Sequence, residues 1–490
     1  MVPCVPPSVN PRALKQPHFK PFYVRCTGPL CYHRGVIGWY SSRAPRIFRF
    51  PTDLLLGFAA LVLIPLLTTS PGCRQTLPQA SPTKDTPDAA NNPYASPPYI
   101  ELHLPRGGVG DTLTMFRGNA THTLTGVGTV PRSPRLLWKM ETTAIREGPY
   151  ERRGVDPNML WRGLGWTGQP ARLGDRYYFG SPGSHVYCLE ASTGDVVWEY
   201  AAGHCVKGSV TVDGDRLFFG SRDNHLHCLD RNTGALVWKT KTGNDMDSSP
   251  AVIGDRIYVG GEDGSIYCFE RETGRVMWRT PTAGSCESSP CVVDGKVYAG
   301  SSRGYLYCLA ADDGHIIWRF QTGDDTDSSP VYVEGRLYLG CESGAFFCLD
   351  ADSGKLLWKI KALKGIWATP AVVDGRVYIG SADGYMRCLA AEDGALIWKR
   401  HYPARIWSSA VVVDGCVLFG VRNGKLECLR AEDGQPLWTF NDNFDIIATP
   451  CVAGGQIVIG SQNGLVYCIG ESEGPVDPRW FTLHLPARAP

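Results

Sequence analysis

One set of residues in this sequence has the types and spacing to do chemistry together. Asp245, Asp247, Glu287, Asp325 and Asp327 supply carboxylates, and at the same 40-residue spacing further along the chain stand Trp367, Arg405 and Trp407. Carboxylates beside indoles make a candidate binding rim for a cation, a quinone or a basic peptide segment, because localised charge and aromatic faces are common parts of recognition sites. Asp and Gly also belong to the turn chemistry of the whole chain, so the repeated Asp-x-Asp spacing is a weak metal signature. Among the cysteines there is no C-x-x-C, no C-x-x-C-H, and no His near enough in sequence to complete a zinc site. No Ser-His-Asp or Cys-His arrangement suits hydrolysis. The sequence therefore assigns no catalytic residue and no metal ligand.

The elements that must position this rim repeat. Cysteines fall at Cys188, Cys228, Cys268, Cys308, Cys348, Cys388, Cys428 and Cys468, and tryptophans at Trp198, Trp238, Trp278, Trp318, Trp358, Trp398 and Trp438, all in steps of 40 residues. Within a unit, four short stretches of alternating apolar and polar residues are separated by Gly-Asp, Asp-Gly and Thr-Gly turns, which predicts four antiparallel strands. A four-stranded unit of this length is the signature of a propeller blade, so the chain is expected to be all-β and eight-bladed. The last unit lacks an in-register Trp. The segment RLLWKMET around Trp138 carries the same outer-strand pattern and is expected to close the ring, with Trp480 as its competitor. In such a ring the innermost strands line a central funnel, and Thr167, Lys207, Asp247, Glu287, Asp327, Trp367, Trp407 and Ile447 are placed at its mouth.

The repeated cysteines lie too far from the axis for symmetric neighbours to reach disulfide distance, and are expected to be small core residues. The net charge of +1 hides a split: residues 1–52 hold eight basic and no acidic side chains, leaving 41 basic and 48 acidic in the remainder. That balance argues against a general nucleic-acid binder. Residues 1–53 form a basic N-terminal region, and 54–73 hold the uncharged run LLLGFAALVLIPLL followed by TTSPGC, which predicts an export signal or anchor with Cys73 as a lipidation candidate. Residues 74–114 are rich in Pro, Ala, Ser and Thr and read as a linker, and 115–482 as the propeller. The body is therefore expected to be exported to the periplasmic side, tethered to a membrane, and monomeric.

CLDRNTGALVW (Cys228 to Trp238) and CLDADSGKLLW (Cys348 to Trp358) resemble the tryptophan-docking motif, A-x-D-x-x-T-G-x-x-x-W, of the propellers typified by the pyrroloquinoline quinone (PQQ) enzymes, with Cys at the Ala position. Within that family the arrangement of signal, possible lipid cysteine, tether and a single ring of short blades is most similar to the BamB-type lipoproteins of outer-membrane β-barrel assembly. That resemblance implies structural docking by Trp138 and the seven repeated tryptophans, a noncatalytic scaffold role, no cofactor, and envelope proteins of the barrel-assembly machinery as partners. The enzyme branch of the family implies instead PQQ and calcium in an alcohol or sugar dehydrogenase; its insertions between blades and its adjacent cysteines are missing from this sequence. A propeller that senses a small ligand in its funnel is the third expectation.

Overall fold

The structure, a computed structural model, describes residues 111–142 and 168–484. The basic region, the segment ending at Cys73, nearly all of the linker and Thr167 lie outside the described residues. No helix among the described residues is long and apolar enough to cross a membrane.

Eight antiparallel sheets follow one another in the chain; five consist of four consecutive strands, and the first, seventh and eighth each take in one strand from elsewhere in the chain. Blade 3 is typical: Ala251–Ile253, Arg256–Gly261, Ser265–Glu270 and Val276–Pro281 run from the innermost strand outward. The two middle strands are buried on both faces, and the outer one alternates between solvent and core. Its alternation aims Trp278 at the next blade, where the indole lies over Gly314 and donates Nε1–H to the Ala311 carbonyl at 2.9 Å. A Cβ on Gly314 would stand 2.5 Å from the Trp278 ring, and its φ of +74° is one that L side chains rarely adopt, so this turn requires glycine. The same contact joins Trp138 to Gly194 and each later indole through Trp398 to the following blade. Among the described residues the Trp238 indole nitrogen alone in this column lacks an acceptor. All of the repeated cysteines are free and buried in these cores.

Ring closure follows the sequence expectation. Pro134–Glu141 pairs with Leu465–Glu471 as the outer strand of blade 8, with Trp138 opposite Cys468. Trp480 serves elsewhere: it precedes Phe481–Leu483, a fifth strand on blade 7, and stacks on Phe440 at 5.8 Å. Trp438, which faces blade 8, finds the Pro131 carbonyl at 2.8 Å in place of a Thr-Gly turn.

Two features inside the ring have no counterpart in the strand periodicity. The first is a circle of hydroxyls just before the innermost strands: the backbone N–H groups of Ser209, Ser249, Ser289 and Thr369 bond to the side chains of Ser249, Ser289, Ser329 and Ser409, each in the next blade, at 2.9–3.0 Å. These bonds tie blade to blade around the axis. The second is a strap, which begins among the described residues with a short strand. Thr112–Leu113 pairs with the inner strand of blade 1. The chain then runs inside the channel, where carbonyls of Thr114, Ala120 and Thr121 accept from Val212, Val292 and Tyr332, Thr125 Oγ1 bonds both ways with Val412, and Val127 donates to Val452. The inner strands would otherwise present open edges to the channel; the strap supplies their partners.

Candidate functional site

The strap sets the floor of the funnel. Phe116 and Arg117 project from a single 3-10 turn and both are buried. Arg117 spans two blades, its guanidinium donating to the carbonyls of Pro370 and Ala410, while its backbone N–H donates to Gln169 Oε1 at 2.8 Å. Above Phe116 remains a cavity of about 20 Å³, lined by Glu287, Asp327, Trp367, Thr369, Trp407 and Ser409. That is room for little more than one water molecule.

Of the carboxylates and indoles singled out in the sequence, Glu287, Asp327, Trp367 and Trp407 therefore line one cavity, from the consecutive blades 4 to 7. Trp367 and Trp407 meet edge to face, centroids 4.9 Å apart and planes at 84°. The Arg422 guanidinium lies 3.9 Å over the Trp407 ring and is fixed from its other side by Asp445 at 2.7 Å. Arg405 is exposed, 5.8 Å from the same ring. On the acidic side Asp247 is buried and bonded by Lys207 and by Arg222, whose Nε reaches Asp247 Oδ1 at 2.9 Å. Arg222 also holds Glu262 at 3.0 Å and stands 3.9 Å from Asp245. Asp325 is half-buried beside Asp327 and adds to its field. Ile447 is buried.

The sequence reading missed Arg222, Glu262 and Arg422. They share one column, two residues after the repeated glycines Gly220, Gly260 and Gly420, and that column was the available signal. Phe116 and Arg117 had none, because the strap does not repeat.

Burial divides the acids. It would raise Asp247, but Lys207 and Arg222 outweigh it and hold this carboxyl well below the usual range. Burial pushes Glu262 up to about 8, with the Asp247 charge adding to it. Asp327 rises to about 8 through burial and then through Glu287 and Asp325, and Glu287 itself is raised by burial. Among the described residues neither Glu287 nor Asp327 has a hydrogen bond or ion pair at the cavity.

A carboxyl whose folded pKa stands above its unfolded value near 4 keeps a proton that the unfolded chain has released. Folding stability therefore falls as pH rises between about 4 and about 8. His122 opposes this at the acid end: burial pushes it down to about 4, so the folded chain resists its protonation once pH drops below about 6.5. The clean window lies between about pH 6.5 and 8. Across it the thermal unfolding midpoint is expected to fall, and Asp327→Asn to flatten the fall; an unchanged slope in that variant would assign the dependence to other groups.

PQQ, the quinone expected on the enzyme branch, does not fit this mouth. A flat tricyclic ring needs a parallel slot, but the two indoles are perpendicular, one face of Trp407 is covered by Arg422, and Phe116 closes the axis beneath. The carboxylates nearest to a calcium-binding arrangement, Asp247 and Glu262, are already engaged by Lys207 and Arg222. The described cysteines include no disulfide.

The fold and repeat define a PQQ-like repeat β-propeller with eight blades. Residues 127–227 match a family model described as outer membrane protein assembly factor BamB, and residues 246–483 one described as the β-propeller of a beta-alanine-activating enzyme. Among solved structures, BamB from Moraxella catarrhalis aligns with a TM-score of 0.56 at 20% identity, over 68% of this chain and 99% of that one. A europium-containing methanol dehydrogenase gives 0.61 at 15% identity, over 74% and 98%. The quinohemoprotein alcohol dehydrogenase ADHIIG from Pseudomonas putida HK5 gives 0.59 at 15%, over 78% and 82%. A sequence search of curated proteins finds no match. At these identities the shared property is the fold, common to an assembly factor and to dehydrogenases.

Proposed function

We propose that this propeller is a noncatalytic interaction platform of the bacterial cell envelope, tethered on the periplasmic side through its N-terminal segment or a lipid on Cys73, and related in role to BamB. The observation that carries the reading is the closed funnel. The strap leaves about 20 Å³ where a cofactor would sit, so recognition falls to the mouth and the outer face. A lysine or arginine side chain of a partner suits that mouth: among the described residues Glu287 and Asp327 make no ion pair, and they stand next to two indoles, which attract cations through their faces. The partner class that follows from the BamB likeness is the barrel-assembly channel or its client polypeptides.

The test is binding of the purified protein to the periplasmic part of a barrel-assembly channel, followed by surface plasmon resonance. Asp327→Asn and Trp367→Ala are expected each to weaken it by about tenfold, the size of a loss of ~1.4 kcal/mol. The same protein incubated with PQQ and calcium is expected to retain no quinone absorbance and to show no dye-linked oxidation of alcohols or sugars. Stoichiometric quinone retention with turnover would replace this reading by the dehydrogenase one.

A further inference from the structure

The most metal-like cluster among the described residues lies away from the axis, in blade 2. Asp223 sits in the turn between the second and third strands, and His225 and His227 follow on the third strand, His225–Asp230, where residues two apart share a face. One donor atom from each of the three lies within 4.8 Å of the others. His227 Nε2 stands 3.0 and 3.1 Å from the two Asp223 carboxylate oxygens; His225 Nδ1 is 3.5 Å from Asp223 Oδ1 and 2.8 Å from the Asp223 backbone carbonyl, a contact that a metal on Nδ1 would replace. The side chains grade from interior to solvent: His227 is 1% exposed, Asp223 14% and His225 22%, so an ion has a path in.

The repeat provides an internal comparison. The same two positions hold Asp263 and Tyr267 in blade 3, Asp383 and Arg387 in blade 6, and Asn463 and Tyr467 in blade 8, each joined by a hydrogen bond. A polar pair here is thus part of how a blade is built. Blade 2 differs in chemistry: its second member is an imidazole, and the residue between them, Ser265, Tyr385 or Leu465 in those blades, is a second imidazole. Two imidazoles and a carboxylate form a donor set that divalent transition metals prefer to calcium or magnesium. His227 is also braced as metal-binding histidines are. Its Nδ1 lies 3.3 Å from the Tyr200 hydroxyl, and its ring stacks on Phe219 at 4.8 Å with planes 11° apart, which leaves Nε2 facing Asp223. The other cluster of this kind, Asp247, Glu262 and Glu287, already has Lys207 and Arg222 against it and offers no comparable opening for a cation.

We propose that Asp223, His225 and His227 form a site for a divalent transition metal of the zinc type, with the remaining coordination positions taken by water. The inference is independent of the scaffold reading, since it uses no residue of the funnel mouth. The experiment uses the full chain, stripped with chelator and dialysed, then titrated with Zn²⁺ by calorimetry and with Co²⁺ by visible absorption. The expected result is one tight equivalent whose affinity falls by more than roughly a hundredfold in His225→Ala, exceeding the 10–100-fold that supporting residues contribute, and by about tenfold in Tyr200→Phe. The Co²⁺ form should show ligand-field bands without thiolate charge transfer. His225 is partly exposed, and its Nδ1 bonds to the Asp223 backbone carbonyl at 2.8 Å, so His225→Ala should shift the metal-free unfolding midpoint little, and that midpoint is measured alongside. Equal Zn²⁺ affinity and stoichiometry in wild type and His225→Ala, absence of binding, or a thiolate spectrum overturns the proposal.

Discussion

A chain beginning at Thr142 is expected to fail to accumulate as a soluble, cooperatively folded monomer, while one beginning at Asp111 keeps the unfolding midpoint of the full protein. The shorter chain loses the outer strand Pro134–Glu141 and leaves Leu465–Glu471 as an exposed, largely apolar edge. Such edges pair with other chains. It also loses Trp138 from its place over Gly194, a truncation worth about 3–5 kcal/mol for a buried indole. Removing the strap strips hydrogen-bond partners from Val212, Val292, Tyr332, Val412 and Val452 in the channel wall. At about 1–3 kcal/mol for each group left buried and unpaired, these losses together reach the 5–15 kcal/mol that holds an ordinary domain folded. Size-exclusion chromatography with circular dichroism melting distinguishes the outcomes. A soluble chain from Thr142 with a single sharp transition would mean that seven complete blades and a three-stranded eighth suffice.

The parts of this molecule legible in its sequence are those where every blade solves the same packing problem. Trp278 over Gly314 needs a large plate, a residue without Cβ and a fixed distance between them, so the same types recur every 40 residues and the blade can be counted. Trp138 was readable as the closing strand because it obeys that pattern while lying outside the array. The strap is different: Thr114, Ala120, Thr121 and Thr125 each meet a different blade through backbone or hydroxyl groups, an interaction that demands little of residue type. Its Arg117 stands outside the 40-residue array, so no repeat column marks it. The site was legible in part for the same reason. Asp247, Glu287, Asp327, Trp367 and Trp407 occupy one repeat column and so had to share the funnel mouth. Which of them stay charged depends on Arg222 and Lys207, contacts between blades that spacing alone does not report. Asp223, His225 and His227 form a D-x-H-x-H in the sequence, a spacing that brings three donors together only because a turn leads into a strand on which alternate residues share a face.

Arg117→Ala is expected to destabilise the protein by about 3–6 kcal/mol, more than any single change at the mouth above it. Three terms compete. The guanidinium is buried without a carboxylate partner among the described residues, its Nε is unbonded, and burial lowers its pKa to about 9, so its own desolvation works against the fold. Against that, it supplies N–H donors to Pro370 and Ala410, whose carbonyls in blades 6 and 7 would otherwise be left buried and unpaired at about 1–3 kcal/mol each. It also fills the axis, and truncating a large buried side chain adds a cavity cost of about 2–5 kcal/mol. The donor and cavity terms exceed the desolvation relief, which sets the sign. Arg117→Met separates them: it keeps much of the volume and removes the charge but leaves both carbonyls unpaired, so its loss should be smaller, about 1–3 kcal/mol. Urea unfolding of the two variants reads the difference. If Met proves as stable as Arg, the guanidinium contributes volume and nothing more. If Met is as damaging as Ala, bridging two blades is its whole contribution, and the floor of the funnel is held by two carbonyls and one cation.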